Sequence, residues 1–134
     1  MTNLQLQKTL YLAQMTYMGQ NDGEPLFEGS FEAWDYGPVE PSLYRKVRMF
    51  GSRPVSDVFL DARRFGDDDP RREFLMGICR DLLSKPASEL VEITHWEDGA
   101  WAKNYVPGAR GVQISDEDIN QEYHDRLRAG DVEN

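Results

Sequence analysis

Cysteine and histidine are scarce in this chain. It contains one cysteine, Cys79, and two histidines, His95 and His124. A single thiol excludes an internal disulfide and a cluster of metal-bound thiolates, and two imidazoles far apart in the sequence do not have zinc-ligand spacing. A phosphate-cradling loop of the G-x-x-x-x-G-K type is also missing. We therefore expect neither a metal nor a cofactor, and we expect Cys79 to be a buried free thiol.

The sequence also lacks the usual groups of a hydrolytic active site. Histidine is the common proton carrier near neutral pH, and a nucleophile beside His95 would have to be Ser88 or Thr94. Neither lies in the glycine-flanked turn that exposes the serine of a hydrolase. At the end of a helix, Thr94 and His95 more naturally bond the last backbone carbonyls. The sequence therefore predicts no catalytic residues and a protein that is not an enzyme.

Long apolar runs are absent. A membrane-spanning helix needs about 18 consecutive apolar residues, and no segment approaches that length. The N-terminal residues, Met1 to Leu4, lack the basic and apolar regions of a secretory signal. We expect a cytoplasmic protein without membrane contacts.

Basic residues are outnumbered. The chain has 15 Lys and Arg against 24 Asp and Glu, a formal charge of -9. Residues 86–134 hold 11 of the acidic and 4 of the basic side chains, which gives this part -7. Because phosphate backbones attract basic surfaces, a nucleic-acid ligand is not expected. The acidic excess suits a partner with a basic surface, and it equally suits a role in solubility alone.

Signals for helices dominate the chain. A capping box begins at Thr2, and Pro41 suits the first turn of a second helix. Asp69 can cap a helix that follows it, Pro86 precedes another apolar helical segment, and Ser115 can cap the last helix. The spacing of the apolar residues after each of these positions predicts helices that bury one face or more.

One feature of the sequence favours a β-structure. Apolar and aromatic residues flank Gly29-Ser30, a pair that suits a tight hairpin turn. The predicted fold is mainly α (α+β), a compact single-domain helical bundle with a small β-hairpin near residues 26–34. A chain of 134 residues fits one domain. We place its boundaries at residues 1–128, followed by a frayed tail at 129–134.

The stretch from Phe31 to Tyr44, F-E-A-W-D-Y-G-P-V-E-P-S-L-Y, is the most informative part of the sequence. Four aromatic residues and two prolines in fourteen positions indicate a specified local shape rather than an adaptable loop. Two further motifs flank this stretch. The segment L-Q-K-T-L-Y-L-A runs from Leu6 to Ala13, and I-T-H begins at Ile93 and is followed by Trp101.

These three motifs, in this order, resemble those of the Panacea-domain antitoxins, a family that includes SocA-like and phage-associated GepA-like proteins. The family pattern has L-Q-K-x-L-Y-x-A near its start, F-E-A-W-x-Y-G-P-V-x-P-x-L-Y in its middle, and L-T-H with a later Trp. The resemblance extends from about Leu4 to Tyr123. It departs from the family in one place, since the family often has Pro before the later Trp and this chain has Ala100.

The resemblance implies an antitoxin that binds and neutralises a cognate protein toxin encoded by the adjacent gene. SocA-type members also deliver the bound toxin to the ClpXP protease, and the resemblance extends that adaptor activity to this chain as an expectation. The implied scaffold is helical. A blocker and an adaptor both fit the sequence.

Binding residues are sought among exposed aromatic and arginine side chains, which concentrate interface energy. We predict that Tyr36, Arg45, Arg48 and Trp101 are partly exposed and bind the toxin. Trp34 has two interpretations, core packing against the hairpin and recognition at the surface.

The alternative function is a DNA-binding transcriptional regulator of its own operon. Its phosphate-contacting patch would consist of Arg45, Lys46, Arg48 and Arg53. The overall negative charge and the lack of a clear helix-turn-helix pattern argue against it.

Overall fold

The computed structural model describes residues 3–27, 29–42, 44–45, 69–82, 84–109 and 111–130. Within these ranges, five helices and three short strands have defined bounds. In chain order they are α1 (Asn3–Gln20), β1 (Phe31–Trp34), β2 (Gly37–Val39), α2 (Pro70–Leu82), α3 (Ala87–Thr94), α4 (Ala100–Asn104), β3 (Gln113–Ile114) and α5 (Asp116–Ala129). The mainly helical α+β fold predicted from the sequence is confirmed. None of the described helices is long and apolar enough to cross a membrane.

Helix α1 forms the centre of the molecule. Every residue from Leu6 to Met15 is buried, because α1 packs against α2, α3, α5 and strand β2 at once. The sequence predicted burial on more than one side of this helix, and the structure confirms it. Between Leu6 and Met15 this helix has no face in water, so its buried polar side chains need partners inside the protein, and Thr9 Oγ1 has none in the described part of the chain.

Gln14 illustrates how these partners are found. Its Oε1 accepts the backbone N–H of Leu26 at 2.7 Å, and its Nε2 donates to the carbonyl of Phe27 at 3.0 Å. One buried amide therefore satisfies the backbone of the segment that crosses α1. Because Leu26 and Phe27 bond to a side chain, they do not pair as a strand.

Gln7 and Lys8 hold the segment around β2 in the same way. Gln7 Oε1 accepts the backbone N–H of Glu40 at 2.9 Å. Lys8 Nζ donates to the carbonyl of Pro38 at 2.8 Å, although the Lys8 side chain has no exposed surface. Side chains of the first motif, at residues 6–13, therefore hold the backbone of the central motif, at residues 31–44, through hydrogen bonds.

The three strands form one antiparallel sheet in the order β2-β1-β3. Trp34 pairs with Gly37, so Asp35 and Tyr36 form the two-residue loop of the hairpin. Gly37 has a φ of 111°, which glycine adopts without the steric cost of a side chain. The strand at 31–34 is confirmed. The predicted turn at Gly29-Ser30 is wrong, since the hairpin turns six residues later.

The capping predicted at Asp69 and Ser115 is confirmed, whereas the capping box predicted at Thr2 lies outside the described residues. Asp69 Oδ1 accepts the backbone N–H of Arg71 at 2.9 Å at the start of α2. Ser115 Oγ accepts the N–H of Asp118 at 3.1 Å at the start of α5, and Gly130 ends α5 with a φ of 80°. Of the helix predicted from Pro41, residues 41–42 and 44–45 are helical, and the rest lies outside the described part. Of the tail predicted at 129–134, Ala129 is the last residue of α5 and Gly130 is its C-cap, and residues 131–134 lie outside the described part.

Two glycines within helices should respond oppositely to substitution by alanine. A Cβ at Gly19 in α1 would overlap the ring of Tyr123, whereas a Cβ at Gly77 in α2 would meet no atom within 4 Å. We expect Gly19→Ala to lower the free energy of unfolding by about 1–3 kcal/mol through overpacking. Gly77→Ala should raise it by about 0.5–1 kcal/mol through helix propensity. Urea unfolding of both variants tests the pair, and equal effects would contradict the packing of α5 on α1.

Candidate functional site

Trp101 lies under the hairpin loop and supports it. Its indole Nε1 donates to the carbonyl of Trp34, the last residue of β1, at 2.7 Å. Its ring stacks on Tyr105, with centroids 4.6 Å apart, and meets the edge of His95 at 3.9 Å. Trp101 is only 9% exposed, so the prediction of a partly exposed side chain is wrong. Its hydrogen bond to the hairpin backbone requires it to point inward.

The loop itself is held at Asp35. Tyr105 donates its hydroxyl to Asp35 Oδ1 at 2.6 Å, and this bond raises the pKa of Tyr105. His95 Nε2 lies 3.4 Å from the backbone carbonyl of Asp35. The loop between β1 and β2 is therefore fixed from the end of α3 and from the residue that follows α4.

The structure places His95 and Thr94 at the end of α3. His95 Nδ1 lies 2.6 Å from the carbonyl of Val91, and Thr94 donates its hydroxyl to the same carbonyl at 3.1 Å. The predicted bonding of the last helical carbonyls is confirmed. The Thr94 hydroxyl is therefore directed at the backbone and not at His95.

A groove of about 560 Å³ opens beside the hairpin loop. We call it the hairpin groove. Among the described residues, it is lined by two carboxylates, three aromatic rings and two small residues, namely Glu32, Trp34, Asp35, Tyr36, Tyr44, Ala109 and Gly111. A volume of this size lies within the usual range of ligand pockets. It is built from the most informative stretch of the sequence together with the segment that leads into β3.

Aromatic side chains form one wall of the hairpin groove. The rings of Trp34 and Tyr44 lie 5.1 Å apart at 60°, and Trp34 Nε1 donates to Glu32 Oε1 at 2.9 Å. Trp34 is half-buried, so it both packs and borders the groove. Tyr36 is 72% exposed, which confirms the exposure predicted for it.

The basic candidates are placed only in part. Arg45 is exposed and directly follows Tyr44. Arg48 lies outside the described residues, as do Lys46 and Arg53, so the patch expected of a DNA-binding regulator is described at one position only.

Three residues of the site were not predicted from the sequence. Glu32 and Asp35 line the hairpin groove, and Tyr105 holds Asp35.

A buried network centred on Glu122 connects the helices beneath this site. We call it the Glu122 network. Glu122 Oε1 accepts the hydroxyl of Tyr11 at 2.6 Å and the backbone N–H of Ala100 at 2.8 Å. Glu122 Oε2 accepts Arg126 Nε at 2.7 Å, and Arg126 Nη2 donates to the carbonyl of Ile93 at 2.7 Å. Burial, and then the neighbouring Glu122 carboxylate, raises the pKa of Tyr11.

Ala100 has a defined role in this network. The Panacea-domain pattern often has proline before the later Trp, and proline has no backbone N–H to donate. In this chain the N–H of Ala100 bonds the buried carboxylate of Glu122. This hydrogen bond, which a proline at position 100 could not form, fixes the start of α4 and with it Trp101.

The described residues include possible metal ligands and one thiol, Cys79. Within the ranges the structure describes, no three His, Cys, Asp or Glu side chains are arranged to hold a metal ion. Cys79 is half-buried, and burial raises the pKa of its thiol to about 11. A thiol with that pKa is protonated at neutral pH and is a poor nucleophile.

The chain is similar in sequence to known antitoxins. A family model described as Antitoxin SocA-like, Panacea domain, matches residues 6–102. The curated protein Antitoxin SocA from Caulobacter vibrioides is 36% identical over 109 residues, which cover 75% of this chain and 57% of that protein. The chain thus spans little more than half the length of this relative. No solved structure matches the chain significantly.

Proposed function

The chain belongs to the antitoxin SocA-like, Panacea-domain family, and from this membership we propose that it binds and neutralises a cognate protein toxin by direct contact. The match over residues 6–102 is the observation that carries the proposal. This range includes β1, the hairpin loop, α3 and Trp101. We propose that the toxin is encoded by the adjacent gene.

We place the contact surface at the hairpin groove. Tyr36 offers a large exposed ring on a loop that is fixed from below, and tyrosine and arginine are the residues that concentrate interface energy. Arg45 is exposed beside a residue that lines the groove, and Arg48, whose position is not described, stays a candidate from the sequence alone. Trp101 contributes by positioning the hairpin loop through its bond to the Trp34 carbonyl.

Neutralisation by this route needs affinity alone. An interface of about 800 Å² on each partner is the standard size for a stable complex, and such complexes reach nanomolar dissociation constants or tighter. An antitoxin that covers the active surface of the toxin then inhibits it sterically, without a catalytic step. This agrees with the placement of His95 and Thr94 against backbone carbonyls.

A second activity is proposed for the same complex, the delivery of the bound toxin to the ClpXP protease in the cytoplasm. An adaptor acts by raising the effective concentration of its cargo at the protease. Deleting the protease separates the two activities. A pure blocker protects cells that lack ClpXP, whereas with an adaptor the toxin accumulates in these cells and growth stops.

Co-expression with the product of the adjacent open reading frame tests the proposed function. We expect the neighbour to be toxic alone, to be tolerated in the presence of this chain, and to co-purify with it. A neighbour that is harmless and does not bind would refute the pairing. A gel shift on the upstream DNA at low salt would then favour the regulator.

Tyr36 gives a residue-level prediction. We expect Tyr36→Ala to raise the dissociation constant of the toxin complex by about 10- to 30-fold, as loss of an interface hot spot does. Folding should be unchanged, because the side chain is 72% exposed. Met76→Ala is the matched control, since Met76 is an exposed apolar side chain on α2, away from the groove. Calorimetric titration measures both, and equal affinities would remove Tyr36 from the interface.

A further inference from the structure

We propose that the hairpin groove is a receptor for the planar guanidinium group of an arginine side chain presented by the protein partner. This inference rests on the proposed function, because the toxin is the partner that would supply the arginine. It goes further by giving the chemistry of the group that enters the groove. It follows from the rings, the carboxylates and the rigidity of the loop.

The rings provide the first part of the receptor. Trp34 and Tyr44 lie at 60° to each other with centroids 5.1 Å apart, and Tyr36 stands exposed on the adjoining loop. The faces of indole and phenol rings attract cations, and a guanidinium plane stacks on such faces. All three rings line the same groove.

The carboxylates provide the second part. Glu32 uses one oxygen to accept from Trp34 Nε1, and Asp35 uses one oxygen to accept from the Tyr105 hydroxyl. In the described part of the chain, neither carboxylate forms an ion pair with a lysine or arginine. Arg45 is exposed beside the groove, but it forms no ion pair with Glu32 or Asp35 in the described part of the chain, so both negative charges can still pair with a ligand. A positively charged ligand is the chemistry that this lining favours.

The choice of arginine follows from geometry and hydration. A guanidinium carries five N–H donors in one plane, so it can bond to a carboxylate at its edge while it stacks on a ring. Lysine is a compact and strongly hydrated ammonium that does not stack. The formal charge of -9 adds a long-range attraction for a basic partner surface.

The groove is also preorganised. Asp35 is held by Tyr105 and His95, and the Trp34 carbonyl is held by Trp101. Binding to a loop that is already fixed loses little conformational freedom. The receptor thus requires no rearrangement of the hairpin to accept a side chain.

The inference is tested without the toxin. Isotope-labelled protein is titrated with N-acetyl-L-arginine amide, and the NMR signals of the Trp34 indole N–H and the Tyr36 amide are followed. N-acetyl-L-citrulline amide is the control, since its urea has the shape of the guanidinium without the charge. We expect saturable shifts at millimolar arginine and binding of citrulline weaker by about fivefold or more. No saturation, or equal binding of both compounds, would overturn the proposal.

Two substitutions locate the bound group. Glu32→Gln keeps an acceptor for Trp34 Nε1 and removes one charge, and it should weaken arginine binding by about three- to tenfold. Tyr36→Ala should weaken it to a similar degree. Glu73→Gln, an exposed carboxylate on α2, is the matched control and should leave binding unchanged. Equal affinity of the Glu32 variant and wild type would overturn the assignment.

Arg110 calls for its own variant because it separates the lining residues Ala109 and Gly111 in the sequence. Arginine binding that is retained or tighter in Arg110→Ala supports a receptor for an external guanidinium, and loss of binding overturns it. The proposed function fails separately, through co-expression. If the adjacent gene product does not bind while N-acetyl-L-arginine amide still does, the pairing with that toxin is wrong and the receptor stands.

Discussion

Glu122→Ala is expected to lower the free energy of unfolding by about 3–5 kcal/mol, the usual cost of breaking a buried ion pair on one side. The side chain is fully buried and pairs with Arg126, which is only 6% exposed. Loss of the carboxylate leaves the Arg126 guanidinium with its bond to the Ile93 carbonyl alone. It also leaves the Tyr11 hydroxyl and the Ala100 N–H without their acceptor. Each buried group without a partner adds its own desolvation cost.

Urea unfolding measures this effect, and two further variants interpret it. Glu122→Gln keeps an acceptor for Tyr11 and Ala100 while it removes the charge beside Arg126, so its cost should be intermediate. Glu117→Ala replaces an exposed carboxylate on the same helix and should change stability by less than about 0.5 kcal/mol. Similar unfolding midpoints for the Glu122 and Glu117 variants would show that the network does not hold the helices together. Domains have only about 5–15 kcal/mol of stability, so the expected loss is a large part of the whole.

The stability of the protein is expected to rise with pH between about 7 and 10 because of Lys8. Burial lowers the pKa of the Lys8 ammonium to about 7, whereas an unfolded chain holds this proton up to a pKa of about 10.4. Between these values the unfolded state binds more protons, so stability increases by up to about 1.4 kcal/mol per pH unit. The cost of the buried charge is fully present below pH 7 and is relieved as the pH rises.

Lys8→Met isolates this contribution. The variant loses the bond from Nζ to the Pro38 carbonyl, which shifts its stability at every pH, but it no longer has the buried amine. The difference in unfolding free energy between wild type and Lys8→Met should therefore change by about 2–3 kcal/mol between pH 7.5 and 9.5. Lys103→Met, at an exposed position on α4, is the control. Parallel pH curves for wild type and Lys8→Met would contradict the lowered pKa.

The parts of the fold that sequence reasoning predicted are those set by local rules. Ser115 and Asp69 bond backbone amides two or three positions away, so their capping is visible in a short stretch of sequence. The hairpin turn was misplaced because Gln14, twelve positions before Leu26, occupies the backbone that a strand there would use. Strand β3 has only two residues and leaves no pattern.

The candidate site divides in the same way. Tyr36 was chosen because aromatic and arginine side chains concentrate interface energy, and its exposure is confirmed. The bond of Tyr105 to Asp35 joins residues 70 positions apart, and nothing near either residue indicates it. Trp101 was expected to be partly exposed. Its hydrogen-bond partner, the Trp34 carbonyl, lies 67 positions earlier, so the sequence around Trp101 gives no sign that its side chain is buried. Contacts of this range depend on the completed fold.

The distance between Tyr11 and Glu122 has a consequence for the supply of this protein in a growing cell. Ribosomes add about 5–20 residues per second, and the two partners are 111 positions apart in the chain. Helix α1 therefore leaves the ribosome about 5–20 seconds before the helix that covers it. During this interval the nascent chain exposes apolar surface to chaperones and proteases. A transcript broken before the codons of α5 yields a polypeptide that cannot close its core, so degradation rather than activity is its expected fate.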